Sequence, residues 1–328
     1  MTVSIFLRRA FVALSGVLGL AVALPSAAQS YPNKSVHMIV GFAPGGSTDK
    51  LARVLAQRMG ELLGQTVVIE NRPGAAGNIA AELVASAPPD GYTVFLGTVS
   101  SQAINPHLYS KLKFDPIKSF EPIALVAKYP LLLVVAPQLQ VSTVQELVAY
   151  ARANPGKAFY ASSGNGSPAH LAGEIFRLST GTDVRHVPYK GGGPAMMAMM
   201  GNEVQFGFET IPSAISHSRS GKLKGIAVTS GSRSAATPEL PTMQESGIKG
   251  FPVTSWAGLL APAGTPKDVL ARLTQATQAA LASPALVATL AGDGAEPGSG
   301  QPADFARFMA DELKAWGDVV RNAGTKLE

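Results

Sequence analysis

Glycine-rich turns with hydroxyl and amide side chains recur along this sequence, each directly after a predicted strand. The first is APGGSTD at 43–49, and the others lie in GTVSSQAINP at 97–106, SSGNGSPAHL at 162–171 and PYKGGGPA at 188–195. Backbone N–H groups in such turns and at the starts of helices bind anions. In an open α/β sheet these turns meet at the carboxyl ends of the strands. The pattern therefore predicts a site for a small carboxylate.

The first of these turns separates an apolar stretch, residues 36–42, from a predicted amphipathic helix. Apolar residues recur there at helical spacing, at Leu51, Val54, Leu55, Met59 and Leu62. Pro44, Gly45 and Gly46 would leave backbone N–H groups facing an anion, and a β-branched residue at either glycine is then expected to abolish binding. Similar turns also occur in α/β folds that bind nothing there. Both interpretations remain open.

Several side chains in the turns also have two interpretations. Asp49 either interacts with the N-terminus of its own helix or orients a ligand or water. Ser167 either caps the next helix or binds ligand, and His170 is either partly exposed or a ligand contact. Lys190 either brings positive charge to a cleft or is simply solvated.

No signature of a known catalytic site occurs in the sequence. The G-x-x-x-x-G-K-[ST], G-x-S-x-G and H-E-x-x-H motifs are missing, and the five histidines are scattered. There is no cysteine, which excludes disulfides, thiolate catalysis and sulfur-ligated zinc. Polar loops without an acid–base pair favour binding over turnover, so no enzyme, cofactor or metal site is predicted.

Residues 1–28 have the pattern of a signal peptide. Arg8 and Arg9 precede an apolar run, and Ser26, Ala27 and Ala28 form a small-residue cleavage site. Removing this segment lowers the formal net charge from +5 to +3, which is too mild to indicate nucleic-acid binding. The mature chain is expected to be exported.

Strands alternating with helices indicate βαβ units and an α/β fold with mostly parallel sheets flanked by helices. Two long extended segments, around 120–137 and 253–266, suggest a two-strand hinge between two lobes. The predicted lobes are residues 29–130 with 254–328, and residues 131–253. Trp256 in the returning segment either lines the cleft or packs the hinge. The methionines of 196–200 are predicted to fill core space.

The predicted element bounds follow from periodicity and from turn residues. Strands are expected at 36–42, 66–70, 92–96, 158–161, 184–188, 204–208 and 225–229. Helices are expected from the first turn onward and at 78–87, 144–153, 169–179, 194–200, 212–220, 267–282, 284–291 and 302–322.

Seven motifs in order resemble the Bug-type periplasmic solute-binding proteins of the tripartite tricarboxylate transporter family. They are FAPGGSTDKLAR, ENRPGAAGNIAA, DGYTVFLG, AINPHLY, SSGNGSPAHLAGE, VPYKGGGPA and APAGTP. The resemblance runs from about Tyr31 to near the C-terminus. It implies a two-lobed type II periplasmic binding fold that closes on small organic acids. It also implies delivery to a permease made of a large and a small integral membrane subunit.

The resemblance also implies roles for individual residues. Gly45, Gly46, Ser47, Thr48 and Asp49 match the carboxylate-holding loop of the family. The turns that would line or border the cleft contribute Pro44, Thr98, Ser101, Ser163, Gly164, Asn165, Ser167, His170, Tyr189, Lys190 and Gly191. Glu209 is a departure, because it stands with Thr210 where this family usually has Asp-Asn.

The sequence therefore predicts a monomeric receptor for a di- or tricarboxylate, an acidic amino acid or an aromatic acid. Glu209 would repel a ligand carboxylate unless it is protonated, bridged by water or paired with a ligand amine. One alternative is a sensor that presents its closed form to a membrane histidine kinase. A second is an exported enzyme acting on organic acids, with His170 as its base.

Overall fold

A computed structural model describes residues 31–298 and 301–323 of the chain. The predicted signal peptide, residues 1–28, lies outside these ranges. The features discussed below lie in the unit Lys34–Glu328.

The described ranges contain strands and helices in alternation, as an α/β fold requires. The strands are β1 Val36–Val40, β2 Val67–Asn71, β3 Thr93–Thr98, β4 Phe120–Val135, β5 Ala158–Ser162, β6 Val184–Pro188, β7 Phe206–Thr210, β8 Lys224–Val228, β9 Thr254–Pro262 and β10 Glu296–Pro297. The α-helices are α1 Ser47–Leu63, α2 Asn78–Ala85, α3 Asn105–Leu108, α4 Val144–Ala153, α5 Pro168–Thr180, α6 Gly192–Met200, α7 Ile211–Arg219, α8 Lys267–Leu281, α9 Pro284–Gly292 and α10 Pro302–Ala323.

Local signals account for most of these bounds. The predictions of β6 and α4 are confirmed without a shift, and the other predicted helices and strands are confirmed within one or two residues at most ends. At α4 the Thr143 hydroxyl accepts the Glu146 N–H at 3.1 Å, while the Glu146 carboxylate accepts the Ser142 N–H at 2.6 Å. This reciprocal pair fixes the helix start. The polar stretch Ser100–Ile104 instead forms a π-helical turn before α3, which the sequence did not predict.

The strands share one hydrogen-bonded order, β2-β1-β3-β9-β4-β7-β5-β6, with β8 and β10 also paired to β4. The pairs β1–β2, β1–β3, β5–β6 and β5–β7 are parallel, and those that involve β4 or β9 are antiparallel. We call β1, β2, β3, β9 and the first half of β4 the first strand group. The second strand group is the rest of β4 with β5 to β8. Each group thus has a parallel core joined to the other through β4.

Two extended segments cross between the strand groups at one level. On β4, Pro130 is the last residue paired with β9, opposite Thr254, and Leu131 is the first residue paired with β7. The register between β4 and β9 shifts twice, between Pro122 and Ala124 and again between Leu125 and Ala127. The proposed lobe boundaries near 130 and 254 fall at this crossing, although their role as domain boundaries stays a prediction.

The indole of Trp256 packs against helix α10 at the first strand group. Its ring meets Phe305 of α10 edge-on with centroids 5.8 Å apart, and its Nε1 donates to the Glu312 carboxylate at 2.9 Å. Of the clustered methionines, Met196 and Met199 are core residues as predicted, whereas Met197 is 65% exposed. None of the helices in the described ranges is both long and apolar enough to cross a membrane.

Candidate functional site

A cavity of about 450 Å³, its opening to solvent included, lies where the turns of the two strand groups meet. Helices α1, α5 and α6 begin at it or beside it. The residues that line it are Phe42, Gly46, Ser47, Thr48, Thr98, Ser100, Tyr129, Leu131, Ser163, Pro168, Ala169, Gly192, Glu209, Thr210, Ser213 and Ser255. Most of the polar members are hydroxyls, and none of these lining residues is Lys, Arg or His.

The N-terminus of α1 is open toward this cavity. Gly46 precedes the helix in an extended conformation, with φ −82° and ψ 175°, and has no side chain that could cap it. The Ser47 N–H donates to the Ser213 hydroxyl at the start of α7, at 2.7 Å. The next two N–H groups, of Thr48 and Asp49, have no acceptor within the helix, as at any helix start. With the helix dipole, they favour a negative charge at this end of the cavity.

The Asp49 carboxylate stabilises its own turn by hydrogen bonds. Its buried carboxylate accepts the Gly45 N–H at 3.0 Å, the Asn71 side-chain amide at 3.0 Å and two guanidinium N–H groups of Arg53 at 2.9 and 3.0 Å. Burial alone would raise the pKa of Asp49, but these hydrogen bonds, Arg53 foremost, bring the pKa below its ordinary value. Asp49 is not a lining residue. These contacts agree with the interpretation that Asp49 interacts with the N-terminal end of its own helix and does not orient a ligand.

Ser167 and His170 similarly form the start of α5. The buried Ser167 hydroxyl accepts the His170 N–H at 3.2 Å, and His170 Nδ1 accepts the Gly166 N–H at 3.2 Å. The His170 ring stacks on His186, with centroids 4.2 Å apart. Burial lowers the pKa of His170, against the opposing charge of Glu174. His170 therefore has its ring nitrogen engaged in the turn, and neither residue lines the cavity.

His186, a partly buried residue on β6, completes a cluster behind the α5 turn. Its Nε2 lies 2.6 Å from the Ser162 hydroxyl, and its ring also stacks on Tyr160 at 4.9 Å. Burial, with a smaller contribution from His170, lowers the pKa of His186 to about 3. Both imidazoles are consequently neutral at pH 7.

Glycines at the start of α6 bring the two strand groups into backbone contact. The Ala43 N–H donates to the Lys190 carbonyl at 3.0 Å. A Cβ on Gly193 would lie 2.8 Å from the Pro44 carbonyl oxygen, and one on Gly191, whose φ is +148°, would lie 3.2 Å from Ala43 N. Such close approach leaves no space for side chains.

Glu209, at the end of β7, is the one carboxyl among the lining residues. It is 2% exposed, and its Oε1 has no hydrogen-bond partner. Burial raises the pKa of Glu209 to about 8, although the nearby Thr210 backbone opposes this shift. Thr98 Oγ1 is also buried without a partner, so two polar atoms at the cavity wall are unsatisfied.

Tyr129 contributes a phenol from β4 to the same wall. Burial raises the pKa of Tyr129, and hydrogen bonds with the hydroxyls of Ser47, Ser255 and Thr48 act in the opposite direction. The phenol is therefore neutral and adds a further hydroxyl to the wall.

Six of the residues proposed from the sequence line the cavity: Gly46, Ser47, Thr48, Thr98, Ser163 and Glu209. The others lie in the same turns but are not lining residues: Pro44, Gly45, Asp49, Ser101, Gly164, Asn165, Ser167, His170, Tyr189, Lys190 and Gly191. Pro44, Gly45 and the Lys190 side chain are exposed, and Ser101 instead bonds to Thr98. A role of any of these residues in ligand contact stays a prediction.

Other lining residues were not predicted from the sequence, although a signal existed for some of them. Thr210 and Ser213 stand at the turn between β7 and α7, which is a strand-to-helix turn like the four considered. Tyr129 and Ser255 face each other across the β4–β9 pair, in register. No local motif marks such hinge residues. Among the described residues, no group of three or more His, Asp or Glu could hold a metal ion.

Comparisons with known proteins agree with this geometry. The profile of the tripartite tricarboxylate transporter family receptor matches residues 51–325. The periplasmic binding protein BugD is 36% identical with a TM-score of 0.88, over 91% of this chain and 100% of BugD. Rpa4515 from R. palustris, solved with adipate, is 38% identical with a TM-score of 0.87, over 90% and 100% of the two chains. MatC from Rhodopseudomonas palustris, solved with bound malate, is 33% identical with a TM-score of 0.84, over 88% and 100%.

These similarities cover nearly all of the described chain and nearly all of each neighbour. The α/β periplasmic binding fold with two lobes, predicted from the sequence, is confirmed by them. The family and its structural neighbours are solute-binding proteins.

Proposed function

Because this chain belongs to the family of tripartite tricarboxylate transporter receptors, we propose that it is a periplasmic receptor for a small organic carboxylate. It captures the acid in the cavity between its lobes and delivers it to a membrane permease with a large and a small integral subunit. The predicted signal peptide and its cleavage after about Ala28 belong to this proposal, because they account for export.

The observation that carries the proposal is the open N-terminus of α1 at a cavity lined by hydroxyls. A carboxylate placed there accepts hydrogen bonds from backbone N–H groups and from Ser47 and Thr48, and it interacts with the positive end of a 17-residue helix. Two similar proteins were solved with organic acids, adipate in one and malate in the other.

Hydrogen bonds across the cleft stabilise a state in which its two sides are closed around a ligand. Ser47 and Ala43, on the first side, donate backbone N–H groups to Ser213 and Lys190 on the second side. Lys50 Nζ also donates to the Pro212 carbonyl, at 3.2 Å. A ligand that touches both sides favours this closed arrangement, because only a state that makes extra contacts gains population. The closed form is then the form that docks on the permease.

A thermal-shift screen of the chain from Gln29 onward tests carboxylate binding. The protein is unfolded and refolded to remove any captured acid, and is then heated with organic acids, amino acids and their amide or methyl ester analogues. An acid at about 100 times its dissociation constant should stabilise the native state by roughly 2.7 kcal/mol. Masking the carboxylate should remove the shift.

The possible outcomes distinguish the proposed receptor from its alternatives. Stabilisation by a free acid and none by its ester supports it, and loss of uptake of that acid in cells lacking the chain supports delivery. If a refolded protein responds to neutral or cationic compounds but to no acid, the carboxylate receptor function is wrong. If the acid is chemically converted during incubation, the chain is an enzyme instead.

A further inference from the structure

Glu209 places a buried carboxyl oxygen without a hydrogen-bond partner in a cavity whose described lining contains no Lys, Arg or His. The residue is 2% exposed, its Oε1 lacks a partner, and it lines the same cavity as the α1 N-terminus. A buried acceptor without a donor is costly, so native structures nearly always supply a partner from the protein, from water or from a ligand.

The groups that surround Glu209 are neutral. On β4 its register partner is Leu132, at the start of α6 it meets Gly192, and at the start of α7 the adjacent hydroxyl is that of Ser213. Among the described lining residues, Tyr129 is the only other titratable group. The described residues that line the cavity therefore include no cationic side chain that could balance an ionised Glu209.

Glu209 also lies close to the predicted carboxylate position. A Cβ placed on Gly192 would be 2.6 Å from Glu209 Oε2 and 3.4 Å from the Ser213 hydroxyl. That hydroxyl accepts the Ser47 N–H of α1 at 2.7 Å. The Ser213 hydroxyl at the α1 N-terminus and the Glu209 carboxyl therefore both lie beside Gly192 and line the same cavity, so a small molecule in it can reach both.

We propose that Glu209 selects ligands that carry an ammonium group beside the carboxylate, so that the preferred ligands are amino acids and not dicarboxylates. The inference rests on the proposed carboxylate-receptor function and specifies its substrate class. An ammonium donates to Oε1 and balances the charge of an ionised Glu209. A second ligand carboxylate beside Glu209 would instead face a carboxyl group, which repels it when ionised and offers it a donor only while protonated.

The affinities of the two ligand classes should change with pH in opposite directions, because an ammonium displaces the Glu209 proton whereas a second carboxylate requires it. Since burial raises the pKa of Glu209 to about 8, the residue is mostly protonated at pH 7 in the ligand-free protein. Binding of an ammonium lowers this pKa and releases a proton, so the affinity rises with pH up to about 8. A dicarboxylate requires the proton to stay, so its affinity falls as pH rises through about 8.

Titration calorimetry with matched probes tests the inference. The probes are butanoate, succinate, 2-aminobutanoate and 4-aminobutanoate, with adipate and 6-aminohexanoate as a longer pair, at pH 6, 7 and 8. The proteins are the wild type, Glu209→Gln and the matched control Glu203→Gln, whose carboxyl is exposed on the same side of the cleft. Native-like thermal unfolding of each variant establishes that it is folded.

We expect an amino acid to bind wild type at least tenfold more tightly than the diacid of equal length, because a hydrogen bond between charged groups has about this effect. Glu209→Gln should weaken that amino acid about tenfold or more, remove the rise in affinity with pH and leave the diacid unchanged or tighter. Glu203→Gln should behave as wild type.

Each contrary result identifies what fails. If the diacid binds more tightly than the amino acid, or if Glu209→Gln leaves amino-acid affinity unchanged, the inference is overturned while the carboxylate receptor stands. If the acid without an amine binds as well as its amino counterpart, the inference is also overturned. If none of these carboxylates binds, both the inference and the proposed function are wrong for this chemical class.

Discussion

The Ser167 hydroxyl could either cap helix α5 or bind ligand, and its hydrogen bond in the structure is that of a cap. It is fully buried and accepts the His170 N–H, which is the bond expected of an N-cap. Pro168 follows at the first helical position, where its lack of an N–H has no consequence. The residue thus shapes the turn whose neighbours, Ser163 and Ala169, line the cavity.

Replacement of Ser167 by alanine should lower the free energy of unfolding by about 1 kcal/mol, since the first turn of α5 loses its cap. The affinity for the acid found in the thermal-shift screen should change less than twofold. Urea unfolding and calorimetry measure the two quantities. Ser167→Thr, which keeps an acceptor oxygen, should restore most of the stability. An unchanged stability with a large loss of affinity would instead assign Ser167 to the ligand.

The roles of individual side chains, such as these, can be predicted only in part from the sequence. The Asp49 carboxylate was recognised at a helix start, yet its partners Arg53 and Asn71 come from the next helical turn and from the neighbouring strand. Asn71 is adjacent because it pairs in register with Val40. His170 was visible as a polar residue near a turn, but its stacking on His186 depends on β6 lying beside β5. Such contacts depend on tertiary register.

At the scale of elements, the start of α6 is the tightest point of the cleft. Gly45 and Gly46 were expected to allow close approach of the backbone to a ligand, and this stays a prediction. Toward the protein itself, a Cβ on Gly46 would make only ordinary contacts, at 3.5 Å or more, and one on Gly45 would meet nothing within 4 Å. The close approach between the two strand groups is made by Gly193, opposite Pro44. The turn of the second strand group therefore carries the steric restriction, while Gly45 is restricted by its φ of +89°.

Gly193→Ala should weaken ligand binding by about fivefold to a hundredfold, because the new methyl group would overlap the Pro44 carbonyl and an overpacked contact costs roughly 1–3 kcal/mol. The ligand-free protein should be as stable as wild type or slightly more stable, since alanine is favoured over glycine inside a helix. Calorimetry and thermal unfolding give both values. Gly231→Ala is the control, because a Cβ there meets nothing within 4 Å. Undiminished affinity in Gly193→Ala would show that these contacts do not form in the bound state.

Elements themselves were largely predictable, because their signals are local. Apolar periodicity and glycine or proline boundaries gave β1, α1, α4 and α8 with small errors at their ends. The π-helical turn at Ser100–Ile104 and the two-residue strand β10 were missed. The first has no periodic pattern, and the second is defined only by its pairing with β4.

For the molecule as a whole, stability should depend on pH through the stacked histidines. Burial lowers the pKa of both His170 and His186, the latter to about 3. The unfolded chain therefore binds protons below about pH 6.5 that the native state does not bind. Each histidine lowers the free energy of unfolding by up to about 1.4 kcal/mol per pH unit as the pH falls from 6.5.

His186→Gln isolates this effect. Glu209 acts in the opposite direction in the same range, because its raised pKa makes the native state bind an extra proton between about pH 4.5 and 8. The difference in unfolding free energy between wild type and variant removes that contribution. From pH 7 to pH 5, urea unfolding should show wild type losing stability faster than His186→Gln. Parallel curves would mean that His186 takes up a proton as readily in the native state as in the unfolded chain.

The two-lobed architecture was predictable from the alternation of strands and helices and from two long extended segments. The single strand β4, which serves both groups, corresponds to the extended segment predicted around 120–137, and its pairing changes from β9 to β7 just after Pro130, where the sequence pattern is interrupted. The cavity was expected at the ends of the strands, and it lies there. Its neutral, hydroxyl-rich lining depended on which face of each turn points inward, and sequence spacing does not define this.

The backbone contact between Ala43 and Lys190 has a kinetic consequence. Together with Gly193 against Pro44, it holds the rim of the cavity with main-chain atoms, which cannot swing aside as a flexible side chain does. A bound acid is expected to dissociate only after the main-chain contacts at the rim have opened. Its residence time then equals the lifetime of the shut state, so sequence changes at the rim should alter dissociation rates far more than association rates.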